Sequence, residues 1–368
     1  MFELTLSKQQ LLTPLLTVAG AIDKKQSLAI LSNILLTSSE EQLLLTATDL
    51  EIEITARVPC STLQNEGIIT VPAKKMIDII RSLEDDATPT IKFDANIVSI
   101  REGRSQFKLA TLPALDYPKT EDELNDVEFS IQRTALMHVL QSTYFAMSQN
   151  DVRIFLNGLL LELDAQFITA VATDGHRMAI CRLASPQAFQ HLRLLLPRKG
   201  VQEILRLLNN VVDEEIMVAA GKNHLKLVTK QYTFSSKLIE ARFPPYVKAI
   251  PKDQDKQVII DRDILKRALS RIVILANEKS KAVLLHIQPN QMTLVANNQE
   301  QEEAVESLAA ETEGDELKIG INAGYLLDVL GHVGEGALRI SLSNMDSSIL
   351  VESVGDEFFQ YIIMPMKL

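Results

Sequence analysis

The chain has 368 residues, 46 % of them hydrophobic and 23 % charged, so it can bury substantial cores and reads as two or three domains. Its formal net charge of −11 argues, taken as a total, against a nucleic-acid partner, because phosphate binding calls for basic surface. Trp is absent and aromatics are only 5 %, leaving Leu, Ile and Val to fill the interior; the two cysteines, Cys60 and Cys181, match no zinc or redox spacing and are too few for a disulfide framework, so they read as small core residues.

From the N-terminus, Met1-Phe2-Glu3-Leu4-Thr5-Leu6 alternates like a strand and lacks the basic and long apolar regions of a signal peptide. No apolar run approaches the ~18 residues of a membrane span, so a soluble, intracellular protein is expected. A helix is predicted over about 7–20, with strands near 30–37, 42–47 and 51–58. A second strand (67–71), a helix (72–84) and strands near 90–94, 97–101 and 105–110 follow. Met76, Ile79, Ile80 and Leu83 carry the i, i+3, i+4 spacing of a helix, and Ile91, Phe93, Ile97 and Ser99 the alternation of strands.

Beyond that point the chain repeats itself. "LTLSKQQLL" at Leu4 returns as "FSIQRTALM" at Phe129, 125 residues on, and as "VIIDRDILK" at Val258, a further 129 on. "TATD" at Thr46 returns as "VATD" at Val171 and "VANN" at Val295, and "VPAKKMIDII" at Val71 as "LPRKGVQEIL" and "INAGYLLDVL" at steps of 125. Each copy closes on an X-Pro pair: Leu112-Pro113, Phe243-Pro244, Met364-Pro365. Register held at five places implies three homologous domains, residues 1–122, 127–250 and 256–368, with polar seams near 118–127 and 249–256. Each is two strand–helix–three-strand units. The fold class is α+β, with antiparallel sheet dominating and helices packed on one sheet face.

The repeat reopens the question of charge. The six predicted helices (7–20, 72–84, 132–147, 197–210, 261–276, 322–332) hold twelve Lys and Arg against six Asp and Glu, whereas the whole chain is acidic. Six helices facing one way would make one basic face, suited to a polyanion held without base reading, and an acidic exterior.

One stretch imitates an active site. In "VATDGHR", Asp174 and His176 stand two apart around Gly175, with Arg177 next. No third catalytic partner is identifiable, and there is no phosphate-binding Gly-rich loop, dinucleotide signature or HExxH spacing. "VATD" recurs among the repeats, so Thr173-Asp174 reads as a shared strand-end turn whose small polar side chains bond the backbone. Gly175, His176, Arg177 and Met178 belong to one copy alone, which marks them for a local function. No enzyme, cofactor or metal site is expected.

The pieces "VATDGHRMAI", "LPRKG" (196–200), "SKLIEARFPPY" (236–246), "ANNQEQEEA" (296–304) and "IIMPMKL" (362–368) together make the chain resemble the beta subunit of bacterial DNA polymerase III, the sliding clamp, over its whole length. The resemblance implies a ring-shaped head-to-tail homodimer with helices on the inner face and sheets outside, encircling double-stranded DNA without sequence preference. It implies as partners the polymerase III alpha subunit, the clamp-loader complex and other replication and repair proteins carrying short clamp-binding peptides, and no membrane. By the same resemblance the peptide pocket comprises Leu156, Thr173, Gly175, His176, Arg177, Met178, Pro244, Lys248, Ala249, Asn322, Tyr325, Ser348, Ile362, Ile363, Met364, Pro365 and Met366. The DNA-facing residues are Lys24, Lys25, Lys74, Asn150, Arg153, Arg198, Lys199, Arg206, Lys266 and Arg267. The dimer seam sets Lys75, Ile79 and Leu83 against Ile274 and Leu275. Departures from the family are Ser280 at the pocket rim, Lys248 for an arginine, which loses the planar fork, and Ile154-Phe155 for a tyrosine pair. The rival reading is a three-repeat interaction scaffold that does not encircle DNA.

Overall fold

The computed structural model describes residues 2–23, 28–39, 41–60, 65–94, 96–118 and 125–367. Lys24 and Lys25 therefore lie outside the described residues. The first repeat runs β1 (Phe2–Thr5), α1 (Lys8–Val18), β2 (Asn33–Ser39), β3 (Gln42–Thr48), β4 (Ile52–Pro59), β5 (Gly67–Pro72), α2 (Ala73–Ser82), β6 (Thr90–Asp94), β7 (Ile97–Glu102) and β8 (Ser105–Ala110). The second runs β9 (Val127–Gln132), α3 (Arg133–Gln141), β10 (Gly158–Leu163), β11 (Phe167–Thr173), β12 (Arg177–Ala184), β13 (Leu192–Pro197), α4 (Arg198–Asn210), β14 (Glu215–Ala220), β15 (His224–Val228) and β16 (Tyr232–Lys237). The third runs β17 (Lys256–Asp261), α5 (Arg262–Ile272), β18 (Ala282–Gln288), β19 (Gln291–Asn297), β20 (Glu303–Ala309), a short β21 (Glu311–Glu313), β22 (Leu317–Asn322), α6 (Ala323–His332), β23 (Ala337–Leu342), β24 (Ile349–Ser353) and β25 (Asp356–Ile363). Among the described residues, β21 is a strand beyond the predicted plan. Its three residues, Glu-Thr-Glu, carry no apolar alternation to announce a strand.

Within every repeat the halves exchange strands. The opening strand of one half joins the three-strand meander of the other, giving β1-β6-β7-β8 and β5-β2-β3-β4 in the first repeat and β20-β19-β18-β22 in the third, all antiparallel. Two further seams join last strands of successive repeats: β4 to β16, and β12 to β25. The chain accordingly divides into two compact units, residues 1–134 with 199–238 and residues 135–198 with 239–368. The middle repeat is shared between them, because β14–β16 and β9 belong to one sheet and β10–β13 to another.

The helices are shorter than predicted. α1 opens on a capping box, with Ser7 N–H donating to Gln10 Oε1 at 3.0 Å and Gln10 N–H to Ser7 Oγ at 3.3 Å. Arg206 ends it, donating to the carbonyls of Leu16 and Thr17 at the negative end of the helix dipole. The helix predicted to reach 147 stops at Gln141, and Thr143 turns its hydroxyl back to Val139 O at 2.8 Å. In α2 the core face is Ala73, Met76, Ile77 and Ile80. Ile79 and Leu83 fall off that face and stay half-buried, which corrects the spacing read from sequence. Tightened boundaries keep all twelve basic residues in helices but release two of the six acidic ones: Asp261 is the N-cap of α5 and Glu84 lies past α2. The helical charge asymmetry is thus stronger than the sequence implied.

Cys60 and Cys181 are both buried. Burial pushes the Cys181 thiol up to about 11, with a Ser142 hydrogen bond acting against it, so the reactive thiolate is scarce near neutrality. Iodoacetamide at mildly alkaline pH should leave Cys181 unmodified in the native protein and label it once guanidinium chloride unfolds the chain. Labelling of the native protein would contradict this.

Candidate peptide-binding site

The Thr173–Arg177 turn is built by the residues that mimic an active site. Thr173 Oγ1 donates to Arg177 O at 2.6 Å and accepts from Gly175 N–H at 3.0 Å, while Asp174 Oδ1 accepts from the N–H groups of His176 (2.9 Å) and Arg177 (3.0 Å). The first repeat builds the same turn. Thr48 Oγ1 donates to Ile52 O at 2.7 Å and accepts from Leu50 N–H at 3.0 Å, and Asp49 Oδ1 accepts from Glu51 (2.9 Å) and Ile52 (2.8 Å). Both need positive φ at the third position, 89° at Gly175 and 79° at Leu50, which glycine adopts without strain. Asp174 therefore serves the turn, not the imidazole of His176.

The two turns differ in where the second carboxylate oxygen goes. Asp49 holds Lys199, while Asp174 Oδ2 accepts from Arg177 Nε at 3.0 Å. Arg177 is a hub. It donates to Asp328 on α6, to Phe145 O at 2.8 Å and to Tyr361 Oη at 3.5 Å, and its guanidinium lies 4.6 Å from the Tyr325 ring centroid and 5.8 Å from that of Phe145. Its side chain is only 10 % exposed. Burial works against the charge, but Tyr361, Asp328 and Asp174 outweigh it and the guanidinium pKa is raised.

Beside this turn, β12, β25 and β24 run in register: Arg177 faces Ile363 and Met178 faces Ile362 across one ladder, and Ile362 faces Leu350 across the next. Met178, Ile362 and Leu350 join Leu160, Val171, Ile180, Leu195, Phe243 and Tyr246 in one apolar cluster, with Phe155 and Ile250 packed against it. The tail is stitched down by Met364 N–H to His176 O (2.9 Å) and Met366 N–H to Gly320 O (2.8 Å). An open cleft of about 590 Å³ lies between residues 248–252 and the β23–β24 connection, lined by Lys248, Ala249, Ile250, Pro251, Lys252, Ser343, Asp346, Ser347 and Ser348. That connection is six residues long, 343–348, against three, 221–223, for β14–β15 in the second repeat.

The expected pocket residues thus fall into distinct places. Met178 and Ile362 are buried in the apolar cluster against which Ile250 of the cleft packs, and would form a floor for it. Ile363 and Leu156 are buried. Lys248, Ala249 and Ser348 line the cleft. Gly175, His176 and Pro244 are exposed at the surface, and Met364 is 49 % exposed with Pro365 and Met366 half-buried behind it. Two expected lining residues do other work. Asn322 caps α6, accepting from Gly324 N–H (2.8 Å) and Tyr325 N–H (3.3 Å). Tyr325 stacks on Arg177, and its carbonyl accepts from Tyr361 Oη at 3.2 Å. Ser280, expected at the rim, turns its N–H and hydroxyl to Asn277 Oδ1, at 3.1 and 3.2 Å. Sequence reading missed Leu160, Val171, Leu350 and Phe243 under the floor, and Phe145, Asp328 and Tyr361 around Arg177. Phe145, Phe243 and Tyr361 carry an advance signal, as rare aromatics.

The residues expected to face DNA also divide. Lys74, Asn150 and Arg267 are exposed and Lys266 half-buried. Four others are engaged within the protein. Lys199 bonds Asp49, Asp23 and Ala21 O, Arg206 caps α1 and pairs with Glu203, and Arg198 donates to Met147 O at 2.9 Å. Arg153 forks onto Asp151 at 3.0 Å and lies against the Gly175 turn. The Arg153 guanidinium holds the Asp151 carboxyl down at about 2. Phe155, which stands with Ile154 in place of the family's tyrosine pair, meets Phe243 edge-on at 6.2 Å. At the expected dimer seam, Lys75 is exposed, Ile79, Leu83 and Leu275 half-buried, and Ile274 75 % exposed.

Three family models match in tandem: the N-terminal domain of the DNA polymerase III beta subunit over residues 2–121, its central domain over 130–245 and its C-terminal domain over 247–367. The chain is 42 % identical over 366 residues to the beta sliding clamp of Pseudomonas putida and 38 % over 364 residues to that of Escherichia coli K12, covering 99 % of each chain in both cases. Among solved structures it superposes on a Pseudomonas aeruginosa DnaN sliding clamp bound to griselimycin with a TM-score of 0.96 at 41 % identity, and on a Caulobacter crescentus beta sliding clamp with 0.95 at 31 %, covering 100 % of both chains each time. With its three exchanged-strand repeats and full-length matches, the chain belongs to the DNA polymerase III beta subunit family, the beta sliding clamps.

Proposed function

We propose that two copies close head to tail into a ring that encircles duplex DNA, and that the cleft beside β12 and β25 takes short apolar peptides from the polymerase alpha subunit, the clamp loader and other clamp clients. The observation that carries the ring is the seam rule. Each internal seam joins the last strand of a first half, β4 or β12, to the last strand of the next repeat's second half, β16 or β25. Among the described residues that rule leaves β20 and β8 as sheet edges. Pairing β20 with β8 of a second copy repeats the same seam, and an exposed edge strand is a ready template for it. The edges are charge-complementary: Arg101, Arg104 and Lys108 are exposed near β8, and Glu300, Glu302 and Glu303 near β20. Ile274, Ile79 and Leu83 supply apolar surface to the same seam. Domain seams at 118–127 and 249–256 suit this arrangement.

The basic helices support sequence-blind contact with the phosphate backbone, which is what sliding needs, since a tight base-specific grip would arrest it. A tethering role is supported by the Asp174–His176 pair, whose carboxylate is taken up by the turn rather than by the imidazole. After loading, the protein should remain on closed circular DNA and leave when that DNA is linearised. Equal retention on both, measured by gel filtration of labelled protein, would sink the topological reading in favour of an open scaffold.

A further inference from the structure

A polar cluster outside the cleft lining reaches the cleft wall through Tyr246. Tyr246 opens the 3-10 turn Tyr246–Ala249 that carries Lys248 and Ala249 into the cleft wall. Its ring is sunk in the apolar floor cluster, 8 % exposed. Its hydroxyl donates to Glu162 Oε2 on β10 at 2.6 Å. The other oxygen of Glu162, on a side chain 15 % exposed, lies 2.8 Å from His191 Nε2 and 3.3 Å from Arg193 Nε, and Arg193 faces Glu162 across the β10–β13 ladder. Apart from this, the turn holds itself by Lys248 N–H to Pro245 O at 3.2 Å.

We propose that the Tyr246–Glu162 hydrogen bond is a latch that sets the height of the Lys248–Ala249 wall above the pocket floor, making Tyr246 and Glu162 positioning residues for peptide binding. The inference rests on the pocket reading above and deepens it. A hydrogen bond to a charged acceptor is among the stronger ones, and burial followed by the neighbouring carboxylate raises the Tyr246 pKa, which keeps the donor proton in place. Arg193 keeps Glu162 paired when the tyrosine hydroxyl is gone, so Tyr246→Phe removes the latch without stranding a charge. The ring still fills its place in the cluster.

The test uses the full-length protein and a fluorescein-labelled peptide copied from the clamp-binding segment of the polymerase alpha subunit, followed by anisotropy. Tyr246→Phe is expected to weaken binding about tenfold. Glu162→Ala should do the same and the double variant no more, because both break one contact. Glu162→Gln, which still accepts from the hydroxyl, should recover most of the affinity. Amide exchange at Lys248 should quicken in Tyr246→Phe with no peptide present, while the melting midpoint shifts by no more than about 2 °C. Unchanged affinity in Tyr246→Phe, losses that add in the double variant, or a loss that merely follows a collapsing midpoint would each overturn the latch. Failure of the wild-type protein to bind the peptide would instead remove the pocket reading, and the latch with it.

Discussion

Arg177→Met is expected to lower the stability of the unit that carries the pocket by about 2–4 kcal/mol, at the lower side of what breaking a buried ion pair costs. The figure follows from the partners left behind. Asp174 keeps its two backbone donors and is not wholly stranded, while Asp328 is 48 % exposed and recovers water. Phe145 O loses a donor, and Tyr325 loses the cation stacked on its ring. Peptide binding should fall with it, because the Thr173–Arg177 turn is no longer tied to α6 and β25. Arg177→Lys should recover only part of either loss, since an ammonium reaches one of these acceptors where the guanidinium fork spans several. Thermal unfolding with a peptide titration checks both, and a midpoint within about 1 °C of wild type would show that the hub is not structural.

Deleting Met364 to Leu368 is expected to abolish peptide binding while leaving the dimer intact. The cut removes the Met364 and Met366 backbone bonds to His176 and Gly320 and the half-exposed Met364 side chain at the mouth of the floor. Methionine at such a place is flexible and polarizable, able to repack around different apolar side chains. Removing a central apolar anchor from an interface typically costs about 2 kcal/mol or more, or at least thirtyfold in affinity. The strands proposed for the seam, β8 and β20, are untouched, so sedimentation should still report two copies. A truncated protein that binds the alpha-subunit peptide as before would refute the assignment.

What the sequence disclosed and what it hid follow a physical line. The period of about 125 residues was legible because each repeat must rebuild the same strand alternation, helix start and turn. The Thr-Asp turn was legible for the same reason, and its two copies agree in every hydrogen bond to the turn's own backbone. The exchange of strands between halves was not legible, since no local pattern states which meander an opening strand will join. Nor were contacts between residues far apart in the chain: Tyr246 with Glu162, 84 residues away, or Arg177 with Asp328, 151 away. Basic residues misled in one respect. Lys199 and Arg206 look like phosphate ligands in a helix, yet neighbouring carboxylates and carbonyl groups claim them.

The six-residue β23–β24 connection has a consequence for traffic on the ring. Scaffold and seams are copied from repeat to repeat, but the loop that raises the cleft wall is long in the third repeat and short in the second. The proposed dimer would therefore offer one berth per subunit rather than one per repeat. Clients in excess of the two berths must take turns, so which protein works on the DNA becomes a matter of occupancy and exchange, decided by residence time at a single kind of seat.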